Sequence, residues 1–233
     1  MDIPWLTLNS LDFPPVAHAL DEPNGLLAVG GDLSVDRLLA AYRQGIFPWY
    51  EEDQPILWWS PDPRCALRLD RLHVSRSLKR VLKSGRFTVT ADSCFQQVIE
   101  ECSGPRNYTS DTWISPEMIE AYLALYHAGY AHSIEVWQDE ELVGGLYGVA
   151  LGRVFFGESM FSLADNASKV ALVHLVGQLQ LWNYELVDCQ VDNPHLQSLG
   201  AELMPRHDFI DFLRRYSADG GHASEWEISW RYS

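Results

Sequence analysis

Three β-rich runs stand almost end to end between His132 and Ser162, and no other feature constrains the fold as tightly. "HSIEVW" leads through the acidic turn "QDEE" into "LVGGLYGVALGRVFFGES", which reads as one or two further strands. Strands joined by so few residues pair antiparallel with their neighbours, because a parallel partner needs a crossover of a dozen or more residues. A meander in mid-chain argues against a doubly wound parallel sheet. Around it, strand and helix signals alternate. "RCALRL" and "RFTVT" read as strands. "DSCFQQVIEEC" reads as a helix capped by Asp92, with Phe95, Val98 and Ile99 inward. Ser115-Pro116-Glu117 opens a helix that Gly129 stops, another covers about 166–181, and "YELVDCQ" returns as a strand. The first 63 residues are rich in turns and aromatics and hold one clear helix, from Ser34 to about Gln44, with Leu38, Leu39 and Tyr42 inward. The expectation is an α+β protein with a small N-terminal domain over 1–63 and a larger one over 64–233.

Glu158 is the anomaly of the meander. It stands among Val154, Phe155, Phe156, Met160 and Phe161, where an ionised carboxylate without a partner is costly to bury. A second polar set, Asp188, Gln190 and Asn193, lies in "LVDCQVDNPH". Residues 188 and 190 of a strand face one side, so Asp188 can orient Gln190 or share a hydrogen-bond network with it. Spacing alone fits equally a buried polar network that fixes a strand end.

The formal net charge is −15, yet residues 62–86 hold eight of the 17 Lys and Arg against only Asp62 and Asp70. A helix starting at Ser75 would align Arg76, Lys79, Arg80 and Lys83 in one stripe, with Val74, Leu78, Val81 and Leu82 behind it. Such segregation suits one polyanionic and one cationic partner, or a solvated basic face. The four cysteines show no metal or disulfide spacing, and His132 and Glu135 lack the H-E-x-x-H interval. Neither a phosphate loop, a dinucleotide fingerprint nor a nucleophile elbow is present. No cofactor is implied. No run of 18 apolar residues and no leader is seen, which predicts a cytoplasmic protein without a membrane segment.

"EPNGLLAVGGDLS", "YRQGIFPWY", "ILWWSPDPR", "HSIEVW", "LVGGLYGVA", "GESMFS", "NASKVAL" and "DCQ" followed by "SLGA" occur in this order between about 22 and 213. Together they resemble the leucyl/phenylalanyl-tRNA–protein transferases. The resemblance implies a small N-terminal domain before a GNAT-like acyltransferase domain. It also implies an enzyme that moves leucine or phenylalanine from leucyl-tRNA or phenylalanyl-tRNA to proteins beginning with Arg or Lys, marking them for degradation. By the same resemblance, Asp188, Gln190 and Glu158 are catalytic. Leu146, Met160, Ser162, Leu175, Leu179, Val187 and Asn193 bind the aminoacyl substrate, with Glu158 at the polar mouth of the pocket. Trp49 and Trp113 stack on the terminal adenosine; Trp58 and Trp59 are read as core. Arg76, Lys79, Arg80 and Lys83 contact tRNA, and the chain acts as a monomer. The family motif "GGMYG" is "GGLYG" here, which leaves the pocket apolar. The competing readings are an acetyl-coenzyme-A-dependent acetyltransferase, whose pyrophosphate signature is missing, and a non-catalytic tRNA-binding protein.

Overall fold

The computed structural model describes residues 3–51, 53–104, 114–217 and 226–232. Two sheets organise them. The smaller takes β1 (Trp5–Leu6), β2 (Leu26–Gly30), β3 (Phe47–Pro48) and β4 (Leu57–Trp59) in the order β1-β2-β4-β3. Helix α1 (Val35–Tyr42) follows β2, and the Ser34 side chain accepts from the Arg37 N–H at its start. Leu38, Leu39 and Tyr42 of α1 are buried, as their spacing requires.

The chain then supplies β5 (Arg64–Arg68), α2 (Arg76–Lys83), β6 (Thr88–Ala91), α3 (Phe95–Ser103), α4 (Pro116–His127), β7 (Ala131–Gln138), β8 (Glu141–Leu151) and β9 (Val154–Ser162). It ends with α5 (Ala167–Leu181), β10 (Leu186–Gln190), the short α6 (Pro194–Ser198), β11 (Glu202–Met204) and α7 (Arg206–Tyr216). The seven strands β5 to β11 form one sheet in the order β11-β5-β10-β9-β8-β7-β6. All its neighbours are antiparallel except β9 and β10. The meander is β7-β8-β9, and its first turn carries Asp139 and Glu140 at φ 51° and 68°, the left-handed pair that suits a two-residue hairpin.

Two hydrophobic clusters lie on the two faces of this sheet. One joins α3, α4 and α1, the other α5 and α2. Helix α5 reaches β8 closely because Gly144 is bare: a Cβ there would stand 2.5 Å from the Cβ of Ala167. The segment 226–232 has no regular structure but packs on the same helix. The Gln178 Oε1 atom accepts from the backbone N–H groups of Ser229 and Trp230, and Trp226 stacks on His132.

One helix start differs from its expectation. Helix α3 begins at Phe95, and Asp92 does not cap it. Asp92 sits at φ 53° and turns its carboxylate to the Ser133 N–H and the His132 ring, so a tertiary bond to β7 wins over the local cap. Phe95, Val98 and Ile99 face inward as expected.

Candidate active site

The site lies where the single parallel pair of the large sheet comes apart. Strands β9 and β10 are in register from Val154↔Leu186 to Phe156↔Asp188 and pair no further. Each carries an irregularity just there. Opposite β8, Gly157 pairs with Gly148 and Ser159 with Tyr147, which leaves Glu158 as the extra residue. Opposite β5, Asp188 pairs with Ala66 and Gln190 with Cys65, which leaves Cys189 extra. Bulges of this kind bend a strand and re-aim its side chains. The first also switches the alternation of β9: Phe156 belongs to the cluster beneath α3 and α4, but Met160 to the one beneath α5.

A cavity of about 510 Å³ opens in the gap. Its apolar wall includes Leu146, Phe155, Met160, Leu172, Leu175 and Val187, with Trp49 and Val191 at the exposed rim. Its polar groups include Glu158, Asp188, Gln190, Asn193 and His195. Glu158 lines the cavity and is largely buried, with 9% of its surface exposed. Its Oε1 accepts from the Tyr42 hydroxyl at 2.7 Å and from Gln190 Nε2 at 2.8 Å. Its Oε2 accepts from the Tyr122 hydroxyl at 2.7 Å. Burial pushes the Glu158 carboxyl from its ordinary 4.5 up to about 7, against the pull of the two phenols, and the nearby Asp188 adds to the rise. The same burial and the Glu158 charge lift both tyrosines well above the ordinary phenol range.

Asp188 is held differently. Arg64 grips it with two bonds, Nε to Oδ1 at 2.8 Å and Nη2 to Oδ2 at 2.6 Å. The guanidinium lies over the rings of Phe47 and Phe209 at 4.8 and 4.7 Å and gives Nη1 to the Gly45 carbonyl. Asp188 Oδ1 also accepts the Gln190 backbone N–H at 2.9 Å. Gln190 has φ 61°, which non-glycine residues seldom adopt. Asp188 thus orients Gln190 through its backbone N–H and not through its side chain, and the Gln190 amide turns to Glu158. The bulge breaks the simple i, i+2 facing that strand alternation implies.

Of the candidate residues, Trp49, Leu146, Glu158, Met160, Leu175, Val187, Asp188, Gln190 and Asn193 line one cavity. Asn193 also caps α6 by accepting from the Leu196 N–H. Leu179 is buried in the core behind the wall and Ser162 shapes the entry to α5, its hydroxyl donating to the Ala164 carbonyl; neither lines the cavity. Trp113 lies outside the described residues. Trp58 is wholly buried, while Trp59 lies 5.7 Å from Trp49 and donates to its carbonyl. Arg76, Lys79, Arg80 and Lys83 share the exposed side of α2, over a buried Leu78 and half-buried Val74, Val81 and Leu82. Arg64, counted with that basic segment by its place in the chain, belongs instead to the buried floor. Tyr42, Tyr122 and Arg64 were missed as site residues. A tyrosine on the inner face of α1 was a usable signal, because a buried phenol needs a polar partner.

A mixed sheet with flanking helices, parted at its parallel pair around an apolar cavity with a buried carboxylate, is an α+β fold with one well-formed pocket at the break. Among solved structures, FemX matches 73% of this chain and 66% of its own length with a TM-score of 0.50 and 11% identity, a likeness of fold alone. The model of the leucyl/phenylalanyl-tRNA protein transferase matches residues 66–214, and that of the N-terminal domain of the same transferase matches 31–62. Leucyl/phenylalanyl-tRNA–protein transferases from Pseudomonas syringae pv. syringae, Azotobacter vinelandii and Pseudomonas aeruginosa are 58%, 59% and 58% identical to it. Each alignment covers 91% of this chain and 93%, 93% and 94% of the relative. The chain belongs to the leucyl/phenylalanyl-tRNA–protein transferase family of enzymes.

Proposed function

We propose that the chain moves leucine or phenylalanine from its tRNA ester to the α-amine of a protein that begins with arginine or lysine, in the cytoplasm and as a monomer. The observation that carries this reading is the cavity itself: an apolar wall for a large side chain, closed by a carboxylate poised near neutrality and an amide bonded to it. The ester is already activated, so amine attack forms the C–N bond and expels the ribose hydroxyl without a nucleotide or a cofactor. What remains for the protein is positioning, a neutral amine and a path for its proton.

In this reading Glu158 holds an α-ammonium when ionised. Gln190 commits its Nε2 to Glu158 and presents its carbonyl oxygen to the attacking amine, while Asp188 and Arg64 hold the bulge that aims it. Leu146, Met160, Leu175 and Val187 receive the leucyl or phenylalanyl side chain. Such a pocket separates related apolar side chains by only about 1–3 kcal/mol per methylene, so the preference is graded. Trp49, with Trp113, stacks on the terminal base, worth roughly 1–3 kcal/mol per base. The basic face of α2 takes tRNA phosphates, and the acidic remainder suits the cationic acceptor. We place the domain boundary at 63/64, between the two sheets.

The test is transfer of labelled phenylalanine from its tRNA to a protein starting with arginine, without ATP or coenzyme A. Label in the protein supports the reading. Transfer that requires coenzyme A, or tRNA binding without transfer, would overturn it.

A further inference from the structure

Two phenol hydroxyls and one carboxyl meet beside the cavity and touch in every pair. Tyr42 on α1 reaches Glu158 Oε1 at 2.7 Å, Tyr122 on α4 reaches Oε2 at 2.7 Å, and the two phenol oxygens stand 2.5 Å from each other. All three side chains are buried, the tyrosines completely. A phenol carries one proton and an ionised carboxylate none, so two protons have to serve three contacts. When both hydroxyls point at the charged carboxylate, the phenol oxygens face each other with lone pairs only, at a separation that belongs to an O–H···O bond.

One added proton resolves the count. Placed on Oε2 and directed at Tyr122, it frees the Tyr122 hydroxyl to turn to Tyr42, while Tyr42 keeps its bond to Oε1. Every contact then has one donor and one acceptor. The triangle fits the neutral carboxyl, and burial, by pushing Glu158 up to about 7, brings that form within reach near neutral pH. The ionised form has a place to receive the proton. Oε1 accepts from Tyr42 and from Gln190 Nε2, which fills both its lone pairs, but Oε2 accepts from Tyr122 alone among the described residues. The titratable and polar groups that face Glu158 are Tyr42, Tyr122, Tyr147 of β8, which packs edge-on against Tyr122, and Gln190 and Asp188 of β10. Of these only Asp188 is charged, and Arg64 pairs with it.

We propose that Glu158 is the proton acceptor of the transfer, and that Tyr42 and Tyr122 are its positioning residues, joined to each other by a proton only when the carboxyl is neutral. The acceptor's α-ammonium gives one proton to Oε2 and becomes an amine. The amine nitrogen attacks the ester carbonyl carbon, the C–N bond forms, the bond to the ribose oxygen breaks, and a second amine proton leaves with that oxygen. Ammonium and ester thus give amide, alcohol and one proton, which Glu158 returns to solvent as the product departs. The triangle rests on geometry, and its use in catalysis rests on the transferase reading.

The experiment follows the Glu158 carboxyl by infrared spectroscopy of the full chain from mildly acidic to mildly alkaline pH. Its band is identified by its loss in Glu158→Gln, and its midpoint is compared in the wild type, Tyr42→Phe, Tyr122→Phe and the double variant. Independent donors would give single shifts that add. A contact shared by both phenols is lost in either single variant and cannot be lost twice, so the double variant should raise the midpoint beyond the sum of the single shifts by about 0.4–1 pH unit, the worth of one hydrogen bond. Additive shifts overturn the triangle. If the double variant does not fold, neutron diffraction from wild-type crystals decides: a deuteron between the phenol oxygens is expected on the acid side of the midpoint and not on the alkaline side, and density unchanged between the two overturns it. Catalysis is read from turnover at saturating acceptor. Glu158→Gln should lose about 10²-fold with an arginyl peptide and much less with its counterpart ending in an aminooxy group, whose nitrogen is already uncharged in this range. Equal losses overturn the proton role. Non-additive midpoints in a chain that never transfers support the triangle and overturn the transferase reading.

Discussion

Glu158 and Asp188 are buried at the same cavity floor, but they are held in opposite ways. Asp188 meets a guanidinium in a two-bond grip, while Glu158 meets two phenols and an amide, all neutral. An ion pair in a dry setting is a fixed element: its desolvation is offset only while both partners stay. A carboxylate held by neutral donors keeps most of its desolvation cost, so its proton equilibrium moves toward the working pH. One carboxylate therefore builds the site and the other titrates in it.

The largest expected effect follows from removing half of the fixed pair. Asp188→Asn leaves Arg64 buried without a counter-charge and should cost about 3–5 kcal/mol of stability, read from denaturant unfolding, while Arg64→Met in the same chain recovers part of it. A neutral Asp188→Asn would break the comparison at its stronger side. The acid side is tested by pH. Because folding raises the Glu158 value from 4.5 to about 7, the folded state holds the proton more tightly. Its stabilising contribution is complete below 4.5 and is lost as pH rises through 7, by roughly 3 kcal/mol. Glu158→Gln should lack that slope in unfolding experiments across the same range. Identical slopes in both proteins would mean that Glu158 is held as firmly as Asp188.

Gln190→Ala sharpens the contrast by acting on the titrating member alone. It removes a donor from Glu158, so the acid limb of the pH–rate profile moves to higher pH. Turnover at saturating tRNA falls about 10²-fold, with the tRNA dissociation constant unchanged. A parallel loss of tRNA affinity would place Gln190 in tRNA binding instead. The smallest effect belongs to charges that never left water. Replacing Arg76, Lys79, Arg80 and Lys83 by alanine should leave the folded protein's stability within about 0.5 kcal/mol. It should also lower the salt slope of tRNA binding by about 0.9 per lost contact. An unchanged slope reduces that face to solvated surface.

What was legible in the sequence was local. The β7-β8-β9 meander follows from short connections, α4 from Ser115-Pro116-Glu117, and the α2 stripe from the Ser75 cap and a helical period. The odd placement of Glu158 could also be read, together with the polar triplet 188, 190 and 193, whereas the residues of the cavity wall came only from the family resemblance. The partners could not. Arg64 and Asp188 are 124 residues apart, and Tyr42 and Glu158 are 116 apart, so no spacing rule connects them. The two bulges were equally invisible, since an extra residue in a strand is defined by its neighbour. They explain why Asp188 and Gln190 part company and why Met160 leaves the face of Phe156. Arg64 was misplaced for a related reason: its neighbours in the chain are exposed cations, but its neighbours in space are Phe47, Phe209 and Asp188.

The first 63 residues supply more to this floor than a scaffold. Tyr42 gives Glu158 a donor, and the Gly45 carbonyl takes the third bond of Arg64. The boundary we propose at 63/64 is thus no boundary in the chemistry. Loss of the Tyr42 hydroxyl would raise the Glu158 carboxyl further by removing a donor to its ionised form, and a shift of the backbone at Gly45 would take the third bond from the guanidinium that holds Asp188, so changes in this stretch act directly at 158 and 188.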